Sequence, residues 1–140
     1  SDVIRDKVAE YVEWWTGFEA SPVGDVELHV HREKALIGPH VWGSSVVDES
    51  NGRLRRRDVP VEERKDTVCC IIQVSEEWAA PRWPLEMYSH DGKATNATLG
   101  EGEMVIWECD SIVAGRPFPL EGHSAILFMS YTLKEKSVFY

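Results

Sequence analysis

Met104–Thr132, MVIWECDSIVAGRPFPLEGHSAILFMSYT, is the stretch whose reading decides the fold. Its two ends, MVIWE and SAILFMSYT, are rich in the β-branched and aromatic residues that suit a pleated, half-buried surface. In the second, Ala125, Leu127, Met129 and Tyr131 alternate with Ile126, Phe128, Ser130 and Thr132, the period of a strand with two distinct faces. The stretch predicts two strands joined by a proline-rich loop that carries Arg116.

Working back towards the N-terminus, Asp91-Gly92 lies between Leu85–Ser89 and Lys93–Leu99, which predicts a hairpin with a type I′ turn. Pro81 and Pro84 make Trp78–Pro84 irregular. Thr67–Val74, TVCCIIQV, is nearly all apolar, as a strand buried on both faces would be. Residues 43–65 are highly charged and contain Ser44-Ser45, Asn51-Gly52 and Pro60, so a long exposed loop is expected there. Ala35–Trp42 reads as a strand interrupted by Gly38-Pro39. Val26–Glu33 alternates too, with Val26, Leu28 and Val30 set against Glu27, His29 and His31. The second set is expected to face solvent as a polar row, joint metal ligation by His29 and His31 being the alternative. Ser21-Pro22 and Gly24-Asp25 signal a turn before it. At the N-terminus Asp2 can cap a helix from Val3, with Val8, Tyr11, Val12 and Trp15 as one buried stripe and Gly17 as its stop. Short strands with one helix packed outside them predict a mainly β sandwich or roll.

The length of 140 residues suits one domain, and 43% apolar residues with six tryptophans can fill its core. A net charge of −9 excludes nucleic acid and anionic membranes as partners. The basic run Arg53–Arg57 is a solvated loop, neutralised by Asp48, Glu49, Asp58, Glu62 and Glu63. Three cysteines without framework spacing predict buried free thiols in a reducing compartment. No apolar run is long enough to span a membrane, and the charged N-terminus is not a signal peptide, so an intracellular, cytoplasmic location is expected. On that ground the sequon Asn96-Ala97-Thr98 is discounted.

Three segments carry a family resemblance. GEMVIWE followed by GRPFPLEGHS resembles the end of the barrel in iron- and 2-oxoglutarate-dependent dioxygenases of the prolyl-4-hydroxylase-like group. WPLEMYSHDGKATNATLGEGEMVIWE is similar to the group's central hairpin and following strand. VHREKALIGPHVW is similar to the stretch ending in its His-x-Asp iron motif. The resemblance spans Val30–Thr132, interrupted by a charged insertion at about 43–66. It implies a double-stranded β-helix, a jelly-roll or cupin-like barrel with a pocket at one mouth.

Such enzymes hold Fe(II) with two histidines and one carboxylate on one face of the metal. By resemblance His40 stands at the first histidine, Trp42 at the aspartate and Ala114 at the distal histidine. An indole has only a donor and a methyl group has no lone pair, so neither binds iron. His123 stands where the group places a basic residue for the co-substrate carboxylate, and it lacks arginine's rigid fork. Arg116 is a loop arginine typical of the group.

Carboxylate ligand, second imidazole and co-substrate cation are thus all replaced. The expectation is a non-catalytic fold with a vestigial pocket at His40, Trp42, Ala114, Arg116 and His123. It would need no cofactor and serve as a binding module for a protein partner or in a homo-oligomer, with Trp14, Trp78 or Trp83 as surface anchors. The first alternative is an active Fe(II)/2-oxoglutarate oxygenase with a rebuilt site, in which Asp48, Glu49 or Asp58 folds back to His40 and His29, His31 or His123 completes the set. The second is a metal-free binder of an organic anion through His40, Arg116 and His123.

Overall fold

Strand β10 (Gly122–Lys134) is the longest hydrogen-bonding template in the molecule, because both of its edges are paired. In the computed structural model, which describes residues 2–42, 45–47, 54–56, 67–78 and 83–135, it lies between β1 (Glu19–His31) and β5 (Thr67–Trp78). β8 (Met104–Trp107) completes an antiparallel sheet in the order β1-β10-β5-β8. A second sheet has the order β2-β9-β6-β7, formed by Ile37–Val41, Val113–Arg116, Leu85–Tyr88 and Ala94–Ala97. The chain thus alternates between two facing four-stranded sheets, the arrangement of a jelly roll.

Strand alternation builds two cores from adjacent residues. Cys69, Ile71, Leu85, Trp107, Ala114 and Ile126 fill the space between the sheets. Val68, Cys70, Met129 and Tyr131 point the other way, against Val8 and Val12 of helix α1 (Asp2–Thr16). Tyr131 ties helix to sheet by donating its hydroxyl to the Arg5 carbonyl at 2.6 Å. Gly17, at φ 76°, ends the helix with its N–H on the Glu13 carbonyl at 2.8 Å. The buried helical stripe is narrower than expected. Val8 and Val12 are buried, while Tyr11 and Trp15 are about half exposed at 47% and 48%.

Several expectations are corrected. Ser21-Pro22 and Gly24-Asp25 do not form a turn; they lie within β1, where the register shifts between Val23 and Glu27. The shift inserts two residues, so the alternation keeps the same faces across it. Glu27, His29 and His31 pair with Phe128, Ile126 and Ser124, so His29 and His31 turn towards the second sheet half-buried while Glu27 stays exposed on that face, and Leu28 and Val30 lie on the opposite face. Val113–Arg116, expected within a loop, is strand β9 between β2 and β6. The Leu85–Ala97 hairpin is present, but only Gly92 has positive φ, at 82°, so its turn is not type I′. Gly92 donates to the Ser89 carbonyl and Ser89 to the Lys93 carbonyl, both at 2.9 Å, which is a three-residue loop with glycine in the left-handed position. Within the charged insertion, β3 (Ser45–Val47) and β4 (Leu54–Arg56) form a short antiparallel ribbon rather than loop.

The cysteines are not all free. Cys69 on β5 is bonded to Cys109 just after β8, and Cys70 alone remains a free, buried thiol. The two half-cystines are 40 residues apart, and the bond closes a loop that holds both hairpin strands. No helix among the described residues is long and apolar enough to cross a membrane. Closing such a loop constrains the unfolded chain, so reduction, or alanine at both positions, is expected to cost about 2–4 kcal/mol. Denaturant midpoints of oxidised and reduced protein measure this. Superimposable curves would show that the bond does not stabilise the fold.

Candidate functional site

The site is the space between the sheets at the end where β2, β9 and the C-terminal half of β1 meet. Strand β9 brings its residues there by a close backbone approach. A Cβ on Gly115 would lie 2.9 Å from the Ile37 carbonyl and from Pro39 backbone atoms, so glycine alone lets β9 pass the irregularity in β2. His40 and Ala114 are register partners across this pair. The two segments matched by resemblance to iron-ligand strands are therefore neighbours, with those positions opposite each other.

Trp42 follows β2 directly. Its indole N–H donates to the Ala114 carbonyl at 3.0 Å. Its ring packs edge-on to Trp107 at 5.6 Å and tilted against Phe128 at 5.7 Å. The side chain is half-buried within the inter-sheet core. A run of rings continues from it: His29 stacks on Phe128 at 5.6 Å, and His31 meets Trp83 edge-on at 5.2 Å. The Arg116 guanidinium lies 4.5 Å above Trp83, with the residue only 1% exposed. Trp83 is fixed by donating to the Phe118 carbonyl at 2.6 Å.

Polar groups run from the exposed rim, where His29 meets Glu27, to the buried Gln73. His29 Nε2 and Glu27 Oε2 are 2.9 Å apart. The buried Gln73 amide donates to Ser124 Oγ at 2.9 Å and the Ser75 carbonyl at 2.8 Å. Burial, then the charge of Arg116, then His29, hold the His31 imidazole below its ordinary pKa.

The expected pocket residues divide. Trp42, Ala114 and Arg116 come together in the interior. His123 does not join them: it is exposed, while its neighbour Ser124 is the one turned inwards and buried. Of the rebuilt-site candidates, His29 and His31 face inwards, and Asp48, Glu49 and Asp58 lie outside the described residues. Among the proposed surface tryptophans Trp14 is 84% exposed, whereas Trp83 is buried at 4%. Sequence reasoning missed Gln73, Ser124, Trp83 and Phe128 as lining residues. The orientation of the β1 histidines follows from their pairing with Ile126 and Ser124 of β10, which no local signal in β1 gives.

Among the described residues, the positions matched by resemblance do not supply Fe(II) ligands. Ala114 contributes a methyl group, and Trp42 has spent its single donor on a carbonyl. Among the described residues no group of three or more His, Cys, Asp or Glu side chains is placed to hold a metal. Nor does exposed His123 fit an interior carboxylate anchor.

No family model matches the sequence, and no curated protein matches it. The fold is similar to the crystal structure of a Pseudomonas putida prolyl-4-hydroxylase, with a TM-score of 0.58 at 15% identity. The match covers 96% of this chain and 63% of that enzyme, so the chain spans less than two thirds of its length. At that identity the likeness establishes the shared fold.

Two outcomes follow from this packing. Gly115→Ala is expected to lose about 1–3 kcal/mol by forcing β9 away from β2, read from urea unfolding. For His31, the unfolded chain binds a proton below about pH 6.5 that the folded chain resists. Its contribution is therefore complete above that pH and is lost as pH falls through it. His31→Gln is expected to flatten the fall in stability as pH drops below about 6.5; an unchanged slope contradicts the assignment.

Proposed function

We propose that this chain keeps a prolyl-4-hydroxylase-like barrel without its oxygenase chemistry and serves as a binding module. The observation that carries the reading is Trp42. Where the resemblance places a ligand carboxylate, an indole is hydrogen-bonded to the Ala114 carbonyl and packed against Trp107 and Phe128. A large apolar ring stabilises the fold at a position that an enzyme would leave polar and open. Ala114, across the strand pair from His40, supports the same reading. The activity named for the Pseudomonas enzyme is not carried over.

The barrel interior also supports a second reading, metal-free recognition of an organic anion. Arg116 is a buried cation beside Trp83 and His31. Without His123, the charge for such a ligand falls to Arg116 and the inward histidines.

Purified protein incubated with Fe(II), ascorbate and 2-oxoglutarate is expected to form no succinate above background and to retain no stoichiometric metal. Trp42→Asp combined with Ala114→His adds a carboxylate and a second imidazole beside His40, and should gain Co(II) binding visible by calorimetry. Succinate formation by the unaltered chain would end the proposal. Thermal stabilisation by an organic acid without metal favours the second reading.

A further inference from the structure

Strand β1 ends the order β1-β10-β5-β8, and among the described residues no strand pairs with its other edge. The first half of that edge is guarded. Pro22 lacks a donor, the register breaks between Val23 and Glu27, and Arg5 of α1 reaches over to the Gly24 carbonyl at 2.8 Å. The second half is not. Glu27–His31 is regular, pairing residue for residue with Phe128–Ser124, and turns Leu28 and Val30 outwards at 61% and 63% exposure. A regular edge with exposed aliphatic side chains is what soluble proteins usually cover, charge or break.

We propose that this edge pairs with the same edge of a second copy, antiparallel about a two-fold axis at His29, joining the two β1-β10-β5-β8 sheets into one. The argument is self-complementarity. Only this register pairs the whole Glu27–His31 run with itself. It places Leu28 against Val30 of the partner subunit on the outer face, where four aliphatic side chains leave water together. On the inner face it places Glu27 against His31 of the partner subunit, a carboxylate opposite an imidazole that can donate to it. His29 meets itself at the axis. A strand from an unrelated protein would satisfy the same backbone groups, but it would bring this complementarity only by coincidence. Each copy carries a net charge of −9, so the pairing is best examined at moderate salt, where repulsion is screened beyond about 10 Å. The inference does not depend on whether the barrel has lost its chemistry.

Sedimentation equilibrium across micromolar concentrations is expected to show twice the chain mass. Leu28→Lys with Val30→Lys sets lysine against lysine across the axis on two exposed positions, and should yield a monomer that still unfolds cooperatively, with a Tm that no longer depends on concentration. Separately, Leu28→Cys with Val30→Cys should form an inter-chain disulfide dimer under mild oxidation, and this arm decides the matter if the lysine variant misfolds. A monomeric unaltered chain, a lysine variant that still dimerises, or a cysteine variant that does not cross-link overturns the proposal.

Discussion

Which residues reach the barrel interior is governed by the register of β10. Held on both edges, it assigns Ser124, Ile126 and Phe128 to the interior and Met129 and Tyr131 to the helix side, and its neighbours inherit the assignment. Antiparallel partners directly opposite each other share a face. Phe128, Ile126 and Ser124 therefore set Glu27, His29 and His31 on the face towards the second sheet, whatever the hydropathy of β1 alone suggests. A one-residue slip would exchange the polar interior for Leu28 and Val30.

A few side chains decide what fills the barrel interior where β2 meets β9. Strands β2 and β9 are adjacent, held close by Gly115, and their register sets position 40 opposite position 114. Ala114 and Trp42 make packing contacts there, and the Trp42 N–H closes a carbonyl rather than leaving one for solvent. Arg116 and Gln73 show that the interior has not simply become apolar. Both are buried, one against an aromatic face and the other in an amide–hydroxyl network.

Much of the architecture was legible in the sequence for local reasons. β5, β8 and β10 announce themselves by β-branched content and alternation, and Asp91-Gly92 marks its hairpin even though the turn differs in detail. The resemblance correctly implied the jelly roll. What escaped was non-local. Val113–Arg116 holds an alanine and a glycine, poor strand formers alone, and becomes a strand because β2 and β6 offer ladders on either side. Pro22 and Gly24 are turn residues by composition, but an edge strand tolerates both at a bulge. Nothing in the spacing of Cys69 and Cys109 reveals that β5 and β8 are neighbours.

Adjacent cysteines on one strand carry a consequence for the integrity of that bond. Disulfides scramble when a thiolate attacks one of the sulfurs. Cys70 is the nearest free thiol in sequence to the Cys69–Cys109 bond, yet the pleat sends it to the opposite side of the sheet, under the helix. Burial there pushes its pKa up to about 12, so at physiological pH it has almost no thiolate to offer. The covalent pairing is thus shielded from its own neighbour by a sheet's thickness and by the missing charge. While the helix stays docked, an isomer with Cys70 in the bridge has no route by which to form.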